Sequence, residues 1–148
     1  MNQIETINQI ANERDSIFEH VALCSGVSEL AYMILYILES EKEKNWIQSD
    51  LADTFFFSRK SVNSAVSKLV LQGYLTLDSL AYNGNKKVLK LTNKGDDFCK
   101  KWIDPVIKAN DESLLELSEE ELRVMIELEK KQLRIFKKKI EETKLISR

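Results

Sequence analysis

The order of helical and extended patterns between Trp46 and Gly95 constrains the fold more than any other feature of the chain. The apolar spacing predicts two successive helices, then two strands joined by a turn at Asn83-Gly84-Asn85. The second strand runs into a further helix through Leu91-Thr92-Asn93-Lys94-Gly95. A helix-turn-helix followed by a hairpin is the layout of a winged helix-turn-helix. We therefore predict a mainly helical protein with a small β wing, in the α+β class.

Local start and stop signals place the elements of this region. The predicted segments are a short edge strand at 46–47, helices at 49–55 and from Ser58, and wing strands at 74–77 and 88–91. Ser58 and Thr92 are N-cap residues, because a short hydroxyl accepts from the free backbone N–H groups of a helix start. Gly73 is expected to end the second of these helices in the left-handed conformation.

Longer helical patterns flank the winged region. Residues 4–21 carry isoleucines at helical spacing, and Glu29–Ser40 is apolar on nearly every side, which predicts a helix in the middle of the fold. Pro105 should kink or divide the helix that follows Thr92. Ser118 and Glu121 form a capping box for a last helix. Its apolar side chains are predicted to face inward: Leu122, Met125, Ile126, Leu133, Phe136 and Ile140.

Bulk composition narrows the class of protein. The 148 residues suit one domain with helical extensions, and 43% hydrophobic with 31% charged residues excludes membrane proteins and most disordered chains. No run of 18 apolar residues occurs, and the start of the chain lacks the pattern of a secretion signal. We therefore expect a cytoplasmic protein without a membrane partner.

Charge is unevenly distributed along the chain. Between Phe57 and Lys94 there are seven cations and one anion, a net charge of +6, although the whole chain carries −2. The rest of the chain is therefore acidic. Phosphate groups respond to the local patch, not to the global sum. This asymmetry indicates one surface that faces a nucleic acid.

The helix that begins at Ser58 has a polar face suited to a DNA major groove. If Val62, Ala65, Val66 and Leu69 face the core, the outer face presents Lys60, Ser61, Asn63, Ser64, Ser67 and Lys68. Asn pairs bidentately with adenine, and Lys donates to guanine or to phosphate. Ser58 and Ser61 near the helix start can donate to phosphate, while Lys86 and Lys87 flank the wing loop. The alternative is a winged-helix module for protein contacts only, but serines and asparagine lower helix propensity on an exposed face.

The chain resembles the MarR (multiple antibiotic resistance regulator) family. The matching stretches are Gln48–Ala52, Ser58–Leu69, Gln72–Leu75, Leu91–Gly95 and Leu117–Leu122. The resemblance implies a homodimeric transcriptional regulator, usually a repressor, that binds a pseudo-palindromic DNA duplex through two winged domains. Residues 29–95 would form the DNA-binding core, while 1–24 and 96–148 would form the dimerisation helices. Many family members release DNA when a small anionic aromatic compound or an oxidant acts.

The resemblance also assigns roles to individual residues. By motif match, Lys60, Ser61, Asn63, Ser64 and Lys68 would be the recognition-helix contacts. With the residues added by the helix-start and wing arguments, the full set of expected DNA contacts is Gln48, Ser58, Arg59, Lys60, Ser61, Asn63, Ser64, Lys68, Lys86 and Lys87. The expected dimer contacts are Ile4, Ile7, Ile10, Trp102, Val106, Leu133, Phe136 and Ile140. The family wing usually carries Asp-x-Arg where this chain has Asn83 and Asn85. Lys86 or Lys87 would have to replace the arginine, without its planar fork.

The remaining chemistry-bearing residues suggest no enzyme, cofactor or metal site. Cys24 and Cys99 do not have metal-ligand spacing, and His20 is the only histidine. The resemblance implies a redox role for Cys24, because a redox-sensing branch of the family uses a reactive cysteine near the dimer interface. Cys24 lies near the end of the first helix, where Tyr32 or Tyr36 would hydrogen-bond its thiolate; an inert thiol is the alternative. Trp46 is expected in the core, and Trp102 either there or beside a ligand cleft.

Overall fold

The structure is a computed structural model that describes residues 2–79 and 86–145. Its elements are α1 (Gln3–Ser25), α2 (Glu29–Ser40), α3 (Gln48–Thr54), α4 (Arg59–Leu71), β1 (Leu75–Ser79), β2 (Lys87–Leu91), α5 (Asn93–Trp102), α6 (Asp104–Leu115) and α7 (Glu119–Glu142). The mainly helical class with a small wing is confirmed. The wing turn predicted at Asn83–Asn85 lies outside the described residues.

Side-chain caps explain where the helices begin. Four helix starts are capped by a side-chain hydroxyl that accepts a hydrogen bond from the backbone N–H three residues further on: Ser28, Ser58, Thr92 and Ser118. The predicted caps at Ser58 and Thr92 and the predicted capping box of Ser118 and Glu121 are confirmed. Gly73 follows α4 with a φ of 82°, the left-handed conformation expected there. Pro105 divides the fifth helical segment: α5 ends at Trp102 and α6 begins at Asp104.

Some predicted boundaries were wrong by one or two residues. The predicted strand at Trp46-Ile47 is only a single bridge between Ile47 and Val88, because α3 begins directly after Ile47. Consequently α3 runs from Gln48 to Thr54, not from Ser49 to Phe55. Tyr74 is not part of β1, since its N–H donates to the Leu69 carbonyl and its own carbonyl accepts from Thr92. The antiparallel pair instead extends to Ser79, which lies opposite Lys87.

The core surrounds α2, as its all-apolar pattern predicts. Tyr32, Ile34 and Leu35 are fully buried, and α2 packs against α1, α4, α5 and β2. In the described residues no single helix is long and apolar enough to cross a membrane. The pair α1 and α2 meets the criteria of length and composition together, with a bend of 100° at the break.

The chain forms two compact units, Met1–Ile107 and Lys108–Arg148. The second unit contains α7, in which no residue is buried. Ile126, Leu133 and Phe136 are about half exposed, at 50%, 48% and 54%. The prediction that the apolar stripe of α7 faces inward is therefore wrong for a single chain. Periodicity shows which residues share a face, but not what covers that face.

Candidate nucleic-acid interface

Helix α4 separates its apolar and polar residues onto opposite faces. Val62, Ala65, Val66 and Leu69 are buried at 6% exposure or less, and they attach α4 to the core. The structure places the predicted polar group together on the exposed face: Lys60, Ser61, Asn63, Ser64, Ser67 and Lys68. This face is a rod of short polar side chains with a lysine near each end, which is chemistry that suits hydrogen bonding in a groove.

An ion pair offsets the positive charge of Arg59, the first residue of α4. Arg59 donates to both carboxylate oxygens of Asp53 in α3, with distances of 3.0 Å from Nε and 2.6 Å from Nη2. The neighbouring guanidinium lowers the pKa of the Asp53 carboxyl. Arg59 is therefore a link between the two helices as well as a surface cation. Sequence spacing did not reveal this pairing.

Two further cations of the basic segment are also bound within the fold. Lys90 Nζ donates to Asn45 Oδ1 at 2.9 Å, and Lys94 Nζ donates to the Gln72 carbonyl at 2.6 Å. The remaining lysines of the segment are exposed and have no ion pair or hydrogen bond with the described part of the chain: Lys60, Lys68, Lys86 and Lys87. Lys60 and Lys68 belong to the polar face of α4, whereas Lys86 and Lys87 lie at the start of β2. They are the charges best placed for phosphate.

The Leu91–Gly95 motif joins the wing to the end of α4. Thr92 Oγ1 donates to the Gly73 carbonyl at 2.5 Å and accepts from the Gly95 N–H at 3.0 Å. At Gly95 an added Cβ would collide with the backbone carbonyl oxygen of Tyr74. The glycine is required because two backbone segments meet there. This joint sets where β2, and with it Lys87, lies relative to α4.

The turn between α3 and α4 contains a feature that sequence reasoning missed. Phe56 has a φ of 56° and is 92% exposed. A bulky residue rarely adopts this conformation, which glycine adopts readily. The side chain borders an open depression of about 360 Å³ that includes Leu30, Met33 and Ser61.

Gln48, the first residue of α3 and a predicted DNA contact, is half-buried.

The residues predicted for pairing of two chains present apolar side chains to the surface. Ile4, Ile7 and Ile10 of α1 are 71%, 66% and 52% exposed. In α7 Leu133 and Phe136 are exposed, as described above, and Ile140 is half-buried. Trp102 and Val106 are half-buried. Exposed apolar stripes of this length are unusual for a protein that stays monomeric.

Tyr32, one of the two tyrosines proposed to hydrogen-bond the Cys24 thiolate, has a different partner. Cys24 is exposed, but the hydroxyl of Tyr32 donates to the Trp102 carbonyl at 2.7 Å and so serves the core. Cys99 is buried, and burial raises its thiol pKa to about 12, which keeps it protonated. Trp46 is buried, as predicted. Among the described residues no group of three His, Cys, Asp or Glu side chains is arranged to hold a metal ion.

The chain is similar in structure to several solved transcription regulators. A regulator from Listeria monocytogenes in complex with a 26mer DNA aligns with a TM-score of 0.71 at 21% identity, over 100% of this chain and 98% of its own. The chain has the MarR fold. A MarR family regulator from Neisseria meningitidis aligns with a TM-score of 0.74 at 16% identity, over 97% and 99%. Staphylococcus aureus MepR in its DNA-binding conformation gives 0.76 at 16%, over 92% and 99%.

The alignments cover nearly the whole length of this chain and of the other proteins. No protein-family model matches the sequence, and no curated protein matches it. The identities of 16% to 21% therefore speak for the architecture, and the roles of individual residues depend on the geometry of this chain.

Proposed function

We propose that this protein binds double-stranded DNA as a homodimer and represses transcription. The observation that carries the proposal is the exposed face of α4, where serines, an asparagine and two lysines project together from a helix anchored in the core. An α-helix fits the major groove, and short side chains allow close approach to base edges. Within this face, Asn63 is the base-reading residue and Lys60 and Lys68 contact guanine or phosphate.

The remaining contacts position the protein on the duplex. Ser58 and Ser61 at the start of α4 donate to phosphate, and the helix dipole favours an anion there. Lys86 and Lys87 at the wing contact the flanking backbone or the minor groove. Gln48, at the start of α3, and Arg59 are secondary contacts, since Gln48 is half-buried and Arg59 is paired with Asp53.

The MarR fold supports this assignment. Solved structures of the same fold include the Listeria monocytogenes regulator with a 26mer DNA and a Staphylococcus aureus MepR–DNA complex. The latter aligns with 91% of this chain at a TM-score of 0.73. A regulator of this kind performs no chemical reaction and works in the cytoplasm, where bacterial DNA lies.

A second copy of the chain covers the apolar stripes. The stripes of α1 and α7 bury their isoleucines, leucine and phenylalanine against the partner, which brings two α4 helices to one face of the duplex. The half-sites then lie about one helical turn apart in a pseudo-palindrome. A small-molecule or oxidant signal would release DNA by favouring a different spacing of the two helices, which requires unequal affinity for the two states.

Selection of bound sequences from random duplexes tests the function. We expect an inverted repeat to be enriched, and binding to weaken steeply as salt rises, because lysine–phosphate contacts release counterions. The absence of both enrichment and salt-dependent duplex binding would contradict the proposal. It would favour a winged-helix module for protein contacts.

A further inference from the structure

One side chain at the end of α4 lacks the polar character of the face that we assign to DNA. Leu71, the last residue of the helix, is 88% exposed. A single exposed leucine needs no explanation by itself, because apolar atoms cover much of any protein surface. The direction in which Leu71 points is what gives it a meaning.

Leu71 lies on the line of α4 that faces directly away from the core. Four exposed residues occupy this line, at spacings of four, three and four positions: Lys60, Ser64, Ser67 and Leu71. At about 3.6 residues per turn, the mean direction of the line is roughly 180° from that of the buried side chains of the helix. Asn63 lies to one side of the line and Lys68 to the other, each by about 70°. Leu71 therefore belongs to the middle of the surface that would enter the groove.

The last turn of α4 is held in place, so the backbone that carries Leu71 is ordered before DNA binds. Leu69 is fully buried, and its carbonyl accepts from the Tyr74 N–H at 2.9 Å. The Gln72 carbonyl accepts from Lys94 Nζ at 2.6 Å. These bonds satisfy carbonyl groups that have no partner within a helix at its C-terminus. Preorganisation of this kind lowers the entropic cost of a contact.

The major groove offers an apolar group to a side chain of this kind. Base edges there present hydrogen-bond donors and acceptors, together with the C5-methyl group of thymine. Leucine has no hydrogen-bonding atom, so at a polar base edge it would displace water from a donor or acceptor without replacing it. Against a thymine methyl group both surfaces are apolar, and contact removes them from water. Lysine or glutamine would form the helix about as well as leucine, but neither would make this contact as well.

We propose that Leu71 is a specificity-determining residue that contacts the C5-methyl group of one thymine in each half-site. The inference rests on the proposed function, in which the exposed face of α4 enters the major groove. Leu71 follows Asn63 by eight residues, which is about 12 Å along the helix. The thymine should therefore lie roughly three or four base pairs from the base that Asn63 reads.

Replacement of thymine by uracil in the DNA tests the contact, because uracil lacks only the methyl group. The probe is the inverted-repeat duplex that selection enriches, with each thymine replaced in turn in both half-sites. We expect one position at which the replacement weakens binding about fourfold per half-site, the effect of one buried methyl group. The same replacement should have no effect on binding of the Leu71→Ala variant, because the partner of the methyl group is then absent.

The variants keep the test independent of folding. Leu71→Ala should fold normally, because the side chain is exposed and alanine favours a helix. Val70→Ala, at a less exposed position about 100° around the helix, is the control and should keep the sensitivity to uracil. Operator binding that depends on no thymine methyl group, or equal sensitivity to uracil in Leu71→Ala, would overturn this inference and leave the proposed function in place. Absence of salt-dependent duplex binding would overturn both.

Discussion

Arg59 donates two hydrogen bonds to the carboxylate of Asp53, and this exposed ion pair links α3 to α4 across the turn between them. Both side chains are well exposed, at 69% and 58%, so the pair is solvent-screened and adds little to stability. Its consequence is electrostatic. The first residue of α4 would otherwise bring a full positive charge to the phosphate backbone.

The substitution Asp53→Asn should therefore strengthen duplex binding. It removes a negative charge from the interface and frees Arg59 for phosphate, so the magnitude of the salt slope should rise by about one per protomer. Titrations of a random-sequence duplex at several salt concentrations measure both quantities. Asp97→Asn changes the net charge equally at an exposed site on α5. Equal effects of the two substitutions would contradict a role for the pair.

Phe56→Gly should stabilise the protein by about 1 kcal/mol. Relief of a left-handed conformation contributes roughly 1–2 kcal/mol, and the greater freedom of glycine in the unfolded chain offsets part of it. Little burial is lost, since Phe56 is 92% exposed. Denaturant unfolding gives the free-energy difference. Phe56→Ala, which keeps the unfavourable φ, should be near neutral; stabilisation by alanine equal to that by glycine would show that backbone strain is not the cause.

Gly95→Ala should destabilise the protein by roughly 1–3 kcal/mol, the usual effect of overpacking. In most helical positions alanine would be the better residue. Here the methyl group meets the Tyr74 carbonyl oxygen and forces the start of α5 away from the end of α4. Thermal unfolding measures the loss, and Asn93→Ala, at the exposed first position of the same helix, is the control. A stabilised Gly95→Ala variant would mean that the close approach does not exist.

Charges placed on the exposed apolar stripes should separate the dimer. Ile7→Glu and Phe136→Glu are each expected to weaken association by about 3 kcal/mol or more, because a symmetric interface contains each side chain twice. Sedimentation equilibrium measures the change. Leu71→Glu alters a leucine on α4 that is still more exposed, at 88%, and should leave association unchanged. A protein that sediments as a monomer before any substitution would contradict the proposed assembly.

Features with a local cause could be predicted from the sequence. The caps at Ser58, Thr92 and Ser118, the left-handed Gly73 and the break at Pro105 depend on residues within a few positions of each other. The polar face of α4 follows from the same helical spacing. For these elements, the residues that determine the kind of structure and where it begins or ends lie close together in the sequence.

Features that depend on distant contacts could not be predicted. The pairing of Arg59 with Asp53, and of Lys90 with Asn45, removes cations that the charge count treated as available. The apolar stripe of α7 is exposed in a single chain, so the helical spacing identified residues that share a face but not the surface that covers them. Glu39 near the end of α2 is also buried, at 7% exposure, and the apolar residues around it in that helix were the signal for it.

Binding of Asn63→Ala to a selected operator and to random duplex tests the central claim most directly. If Asn63 reads a base from the exposed face of α4, the substitution should weaken operator binding by roughly 1–3 kcal/mol and leave random-duplex binding almost unchanged. Asn110→Ala, at an exposed position on α6, should alter neither. Equal losses on both duplexes, or no loss on the operator, would contradict the assignment of this face to base recognition.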